Sequence, residues 1–258
     1  MKHIPKKRFG QNFLTDQAII GSLIGAIAPK ANDLMVEIGP GLGAMTQPLL
    51  AKLDHLHVVE LDRDIVSWMQ SHYPAKKITI HNIDALKFDF SSIATSTANG
   101  KIRVVGNLPY NISTPILFHL LNNIGAITDM HFMLQKEVVE RMVAEPSTPA
   151  YGRLSVMLQY RLQMEYLLTV PPDAFDPPPK VESAFVRAVP YDQPPYHALD
   201  ENLFASIVLA AFGQRRKTLR NTLKGILDDT DFGVLGIDSQ QRAENLSVAS
   251  FVSIANHV

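Results

Sequence analysis

The chain has 258 residues, 46% of them hydrophobic, a formal net charge of −1 and no cysteine. This length allows one large domain, or a main domain with a small appendage, around a sizeable core. Disulfides, thiolate catalysis and cysteine-based zinc sites are excluded, and the composition indicates neither disorder nor a repeat array.

Basic residues crowd two stretches of this otherwise neutral chain: Lys2, Lys6, Lys7 and Arg8 near the start, and Arg215, Arg216, Lys217, Arg220 and Lys224 near the end. Such clusters are usually solvated faces, but two of them in a neutral protein suggest a polyphosphate partner. After the first cluster, Thr15 and Asp16 read as a helix start, and Ile19, Ile20, Leu23, Ile24 and Ile27 recur at helical spacing. The stretch 18–28 is therefore expected to be an amphipathic helix of a mature, cytoplasmic protein rather than a secretory signal. Pro29, directly after the would-be cleavage site, points the same way. No apolar run reaches the ~20 residues of a membrane-spanning helix.

From residue 34, short apolar runs alternate with helical stretches. Strands are expected at 34–39, 55–62, 77–84, 101–107 and 129–136, with helices between and after them. This alternation predicts an α/β fold with a mostly parallel sheet and helices on both faces. The pattern then loosens: 151–162 reads as a helix, 165–171 and 181–190 as two further strands, and 173–180 as a stiff, proline-rich connection. Residues 191–200 read as a linker, and helical patterns follow it. A main domain over 1–190 and a small α-helical domain over 191–258 are expected.

Gly39, Gly41 and Gly43 fall in the turn after the first of these strands, where glycine lets a ligand approach the backbone. With Ala44, and with Glu60 about 20 residues on, they fit the loose dinucleotide fingerprint, so the glycines alone do not separate NAD from other adenosine-containing cofactors. Glu37 decides more. A carboxylate there would repel a pyrophosphate but attract an ammonium or sulfonium, which favours S-adenosyl-L-methionine. Glu60 and Asp84 end the next two strands, where carboxylates can accept from ribose hydroxyls and from an adenine amino group. A lone acid in a loop is usually just solvated. Three at the C-terminal ends of consecutive parallel strands mark a ligand crevice.

Asn107, Leu108, Pro109 and Tyr110 follow the fourth strand and should face the same crevice. The amide oxygen of Asn107 and the carbonyl of Leu108 could accept the two N–H groups of an exocyclic amine and aim its lone pair. Pro109 would stiffen the loop, and Tyr110 would offer a face for a base, worth roughly 1–3 kcal/mol. In isolation these residues also make an ordinary turn. Beside a donor site the functional reading is preferred. The histidines, including His55, His57, His72 and His81, lack metal-ligand spacing, and no metal is expected.

Taken in order, 6–14 (KKRFGQNFL), 36–43 (VEIGPGLG), 58–62 (VVELD), 106–110 (GNLPY), 134–138 (LQKEV), 151–156 (YGRLSV), 174–181 (AFDPPPKV) and 211–221 (AFGQRRKTLRN) resemble the motifs of the rRNA adenine N6-dimethyltransferase family, and closely those of its bacterial small-subunit branch. The resemblance spans nearly the whole chain. It implies a seven-stranded, Rossmann-like methyltransferase sheet with a helical C-terminal domain. It also implies transfer of two methyl groups to each of two adjacent adenosines in the 3′-terminal hairpin loop of 16S rRNA, within a small ribosomal subunit or its precursor; a monomer is expected. Asn12 and Leu14 match the family's donor lid. Gly39, Glu60, Asp84 and Asn107 match its other donor contacts, and Phe175 matches an aromatic that sandwiches the target base against Tyr110. A core phenylalanine is the close competitor for Phe175. Lys6, Lys7, Arg8, Arg215, Arg216, Lys217 and Arg220 would then contact phosphate, with Arg216 and Arg220 sharing one face of a helix from about 212 to 222. Three alternatives stand beside this reading: the 23S rRNA branch of the family, against which the long basic C-terminal motif counts; an assembly factor that binds small subunits; and a dehydrogenase.

Overall fold

Residues 12–95 and 100–258 are described by the structure, a computed structural model. The strands are β1 (Phe13–Leu14), β2 (Met35–Ile38), β3 (Leu56–Val59), β4 (Ile78–His81), β5 (Ile102–Asn107), β6 (Ile127–Gln135), β7 (Leu162–Val170), β8 (Phe175–Asp176) and β9 (Ser183–Pro190). Seven of them form one sheet in the order β4-β3-β2-β5-β6-β9-β7. Pairs from β4 through β6 are parallel, and β9 runs antiparallel to β6. All four residues of β2 are buried, as a central parallel strand covered on both faces requires. The fold is the expected seven-stranded, mostly parallel α/β sheet.

Chain order steps outward from β2 to β3 and β4, then returns to place β5 on the other side of β2. Connections that leave a parallel sheet in opposite directions open a crevice at the strands' C-terminal ends. That switch point lies between β2 and β5, so Gly39 and Asn107 leave the sheet side by side.

The helix Gln17–Ile27 starts where the sequence indicates: the Asp16 carboxylate accepts from Ala18 N at 2.8 Å and Ile19 N at 3.0 Å. Its C-terminus is tied down by Arg103 of β5, which donates to Ile27 O at 2.6 Å and to Asp129 and Asp33. Leu23 and Ile27 of this helix join Met35, Leu56, Val58, Met69, Val105 and Phe185 in one apolar core.

The chain clusters into two compact units. One runs through Val139 and adds Glu165–Pro190; the other takes Glu140–Met164 and Tyr191–Val258. The helical unit therefore recruits a segment from before residue 190, unlike a single cut at 190/191. Its core gathers Val156 with Phe204, Ile207, Leu223, Phe251 and Ile254. The 191–200 stretch is pinned within it: Ala198 N donates to Tyr160 Oη, Leu199 N to Asn256 Oδ1, and Asn256 Nδ2 to His197 O.

Three local expectations are corrected. The 151–162 helix covers only Arg153–Gln159, because β7 begins at Leu162. The β4 strand ends at His81, so Asp84 lies in the turn beyond it. No continuous helix spans 212–222: one helix ends at Phe212, a turn follows, and a short helix covers Leu219–Thr222. Gly213 closes the first, and Thr218, in extended backbone, opens the second. The second helix's leading amides are then taken by Gln241 O and Ser239 O. Arg216 and Arg220 consequently share no helix face.

Candidate active site

The crevice at the switch point is a cavity of about 990 Å³. Its lining includes Asn12, Leu14, Glu37, Gly39, Gly41, Glu60, Asp84, Asn107, Leu108, Pro109 and Tyr110. The structure thus brings together every expected donor residue and four of the five expected catalytic residues.

Glu37 sits inside β2 and is 1% exposed. The Thr46 hydroxyl, at the start of the next helix, donates to its Oε2 at 2.6 Å. Burial pushes the Glu37 carboxyl up to about 7; the Thr46 hydrogen bond opposes this and the charge of Glu60 adds to it. A buried carboxyl without a cation is a poor place for a charge, and an incoming cation would supply the missing partner.

Glu60 follows β3 and is also buried. Its carboxylate accepts from Asp62 N at 2.8 Å and from the Gly41 backbone, and burial again raises its pKa. One wall of the glycine loop is thereby tied to the second acid. Asp84 is half-buried and accepts from Leu86 N at 3.0 Å.

The glycine loop needs glycine for contact reasons as well as for backbone shape. Gly41 has φ +55° and lies under the Phe13 ring, which a Cβ would approach to 3.1 Å. Gly43 has φ +80°, and a Cβ there would fall 2.2 Å from the Tyr73 hydroxyl. Burial and the nearby Glu37 charge push that hydroxyl up to about 12, so it stays protonated beneath the loop.

Phe13 arrives over Gly41 because β1 pairs with β8, with Phe13 opposite Asp176 and Leu14 opposite Phe175. Thr15 N and Asp16 N also donate to Ala174 O. The pairing is what holds the segment from Asn12 over the cavity. It also corrects the expectation for Phe175, which is absent from the cavity lining and 4% exposed, packed with Leu14 in the apolar core. Here Phe175 packs with Leu14 and forms no part of the cavity wall.

Asn107 Nδ2 donates to Asn12 O at 3.2 Å, which leaves the amide oxygen as the acceptor to offer an incoming N–H. Leu108 N donates to Met133 O at 3.0 Å, extending the β5–β6 ladder into the loop. Ser113 Oγ donates to Tyr110 O at 2.9 Å, and Tyr110 Oη is bonded to Ser183 Oγ at 2.7 Å.

Thr46, Tyr73, Phe13, Leu61, Ile83 and Ser183 were not anticipated. Leu61 and Ile83 line the cavity while 49% and 36% exposed, so two large apolar side chains face it unburied. Their signal is an apolar residue directly beside an acid in a post-strand turn. Tyr73 and Ser183 gave none, since both reach the site through tertiary packing.

Among the described residues, none of the basic residues expected to contact phosphate lines this cavity. Lys6, Lys7 and Arg8 lie outside the described residues. Arg215, Arg216, Lys217 and Arg220 are exposed in the helical unit; Arg215 donates to Pro149 O and Arg220 pairs with Asp229. Among the described residues, no group of three histidine or acidic side chains is placed to hold a metal ion, and no helix is long and apolar enough to cross a membrane.

A family model described as ribosomal RNA adenine dimethylase matches residues 2–258. A ribosomal RNA small subunit methyltransferase A from Methylobacillus flagellatus is 73% identical over 258 residues, covering 100% of this chain and 99% of that protein. One of the same description from Chromobacterium violaceum is 59% identical, covering 100% and 97%. Among solved structures, a dimethyladenosine transferase from Plasmodium falciparum superposes with a TM-score of 0.75 at 22% identity, covering 94% of this chain and 95% of that one. The 23S rRNA methyltransferase ErmE superposes with a TM-score of 0.73 at 20% identity, covering 95% and 99%. These two likenesses concern the fold.

Proposed function

Because the chain belongs to the ribosomal RNA adenine dimethylase family, we propose that it uses S-adenosylmethionine to dimethylate the N6 amines of two adjacent adenosines in the 3′-terminal hairpin loop of 16S rRNA. The observation that carries this is the meeting of Glu37 and Asn107 in one cavity across the β2/β5 switch point. High identity to proteins described as small-subunit methyltransferases favours 16S over 23S rRNA.

The cavity's residues fit the donor. A volume of about 990 Å³ suits a ligand of nucleoside size with room for a second base. Glu37 would hold the cationic methionine end, Glu60 would accept from the ribose hydroxyls, and Asp84 would accept from the adenine amino group. Leu61 and Ile83, which line the same cavity, would offer the adenine apolar surface. When bound, the donor supplies an electrophilic methyl group on a sulfonium.

The chain's own contribution to transfer is alignment. The Asn107 amide oxygen and the Leu108 carbonyl accept the two N–H groups of the target amine, turning its delocalised lone pair toward the methyl carbon. Neither group is basic at neutral pH, so this is positioning rather than proton abstraction: each transfer breaks the methyl–sulfur bond, the displaced N6 proton leaves to solvent, and the one N–H left after the first transfer is accepted for the second. Tyr110 gives the splayed base a stacking face, and a hairpin loop makes splaying inexpensive. Arg216 and Lys217, exposed in the helical unit, contact phosphate.

The test is methyl transfer from labelled S-adenosylmethionine to small subunits lacking the adjacent dimethyladenosines, with the product nucleoside identified and Asn107→Ala run alongside. Dimethyladenosine from the wild type is expected, with a loss of about a hundredfold in the variant and retained donor binding. Tight particle binding without transfer would place the protein among assembly factors.

A further inference from the structure

Stacking on Tyr110 helps transfer only if its ring is already fixed, since a tyrosine in a loop turns about two side-chain torsions. The Tyr110 hydroxyl is anchored 73 residues along the chain, at 2.7 Å from Ser183 Oγ. Ser183 is fully buried, opens β9, and stands opposite Gln135 at the end of β6. Lys136 N donates to Glu182 O beside it, so the backbone carrying Ser183 is itself held by the sheet. A rigid strand thus fixes the far end of the ring, while Ser113 Oγ holds the near end through Tyr110 O.

We propose that Ser183 is a positioning residue for the acceptor base: it locks the Tyr110 ring in the orientation on which the target adenine stacks. This rests on the function proposed above. The segment from Ala174 to Ser183 then serves both substrates. At one end Ala174 and Phe175 hold the lid through Thr15, Asp16 and Leu14; at the other Ser183 holds the tyrosine. The two ends separate by readout, because the lid governs donor binding and Ser183 governs turnover of a bound base.

Ser183→Ala, Tyr110→Phe and the double variant should be assayed on small subunits lacking the dimethyladenosines, with donor affinity measured separately by calorimetry. Each single variant is expected to lower kcat about tenfold, with donor Kd unchanged and the double variant no worse than the weaker single. A Ser183→Ala enzyme with wild-type kcat, or losses that multiply in the double variant, would overturn the proposal. If Ser183→Ala does not fold, Tyr110→Phe decides, since it removes the same hydrogen bond and keeps the ring: a tenfold loss supports the role and an unchanged kcat overturns it. A wild type that binds particles without transfer overturns the proposed function and this role together. An active wild type with multiplying losses overturns this role alone.

Discussion

The Thr46 hydroxyl lies 2.6 Å from Glu37 Oε2 and both residues are buried, so the carboxyl in the cavity has one short hydrogen bond to favour its charged form. Burial wins over that bond and places the carboxyl near neutrality, at about 7. A cationic ligand needs Glu37 ionised. Below pH 7 the free protein holds it protonated, and binding must expel the proton. Donor affinity is therefore expected to fall as pH drops below about 7, approaching tenfold per pH unit, and to level off above it. Calorimetry in buffers of differing ionisation enthalpy would register the released proton. Thr46→Val should move the midpoint upward, and Glu37→Gln should weaken binding and flatten the profile.

Folding stability should also fall with pH, through two other groups. His131 is 1% exposed, and neither ring nitrogen has a hydrogen-bond partner among the described residues. Burial pushes it down to about 4, with Asp129 opposing and Arg103 and Arg187 adding. His57, 3.1 Å from His81, is likewise pushed down to about 4 by burial, then by the neighbouring His81 and His55. A histidine held neutral contributes stability above pH 6.5 that is lost as pH falls toward 4. Glu37 works the other way, its share present below pH 4.5 and lost as pH rises to about 7. Burial also lowers His81 and raises Glu60, so three histidines stand against two carboxyls, which gives net acid destabilisation over this range. Urea unfolding at successive pH values should show it, and His131→Leu should flatten it.

Much of this architecture was legible locally. The glycine loop and its acids sit at strand ends that apolar periodicity marks out, and the Asp16 cap is a four-residue signal. What escaped is non-local. The β1–β8 pair has two residues per strand and joins segments more than 150 residues apart (Leu14 faces Phe175), so no periodicity announces it, and the fate of Phe175 depended on it. A continuous 212–222 helix is broken at Gly213, beyond which Leu219 N and Arg220 N dock on Gln241 O and Ser239 O, a pairing that helical spacing does not encode. Recruitment of Glu140–Met164 to the helical unit is likewise a packing choice that linear order does not encode.

The Tyr73 hydroxyl makes Gly43 a test of two separable costs. An alanine there meets the hydroxyl at 2.2 Å and must also hold φ near +80°. Gly43→Ala is expected to destabilise the fold by about 2–3 kcal/mol, combining overpacking and left-handed strain, and to weaken donor binding. Adding Tyr73→Phe removes the hydroxyl but leaves the ring carbon at 3.3 Å and the φ unchanged. The double variant should recover part of the loss and no more, as read from thermal midpoints and donor Kd. Full recovery would mean that backbone strain at Gly43 is negligible.

Arg103 offers a test away from the cavity. Its side chain is 14% exposed and binds Asp129 at 2.9 Å, Asp33 at 2.6 Å and the carbonyl of Ile27 at 2.6 Å. Arg103→Met would leave Asp129, 9% exposed, without its partner and uncap the helix Gln17–Ile27. Removing one member of a buried pair costs about 3–5 kcal/mol, and the partial exposure of Asp33 places this case at the lower end. Urea denaturation should show a loss of about 3 kcal/mol. Arg103→Met/Asp129→Leu, which removes both charges, should lose less than Arg103→Met alone.

The basic turn that replaces the expected helix separates its cations into different classes. Arg216 and Lys217 are exposed beyond Gly213, whereas Arg220 already pairs with Asp229 and Arg215 already donates to Pro149 O. A cation spent on a carboxylate gains less from a phosphate than one in open solvent. If the helical unit grips rRNA, binding to small subunits should weaken linearly in log K against log salt, by about 0.7–0.9 per phosphate contact. Arg216→Ala/Lys217→Ala should reduce that slope by roughly 1.5 in total, and Arg220→Ala should reduce it less. Transfer to saturating subunits should be unchanged in both variants, because none of these residues lines the cavity. Equal slopes for wild type and the Arg216/Lys217 double variant would remove this turn from the RNA interface.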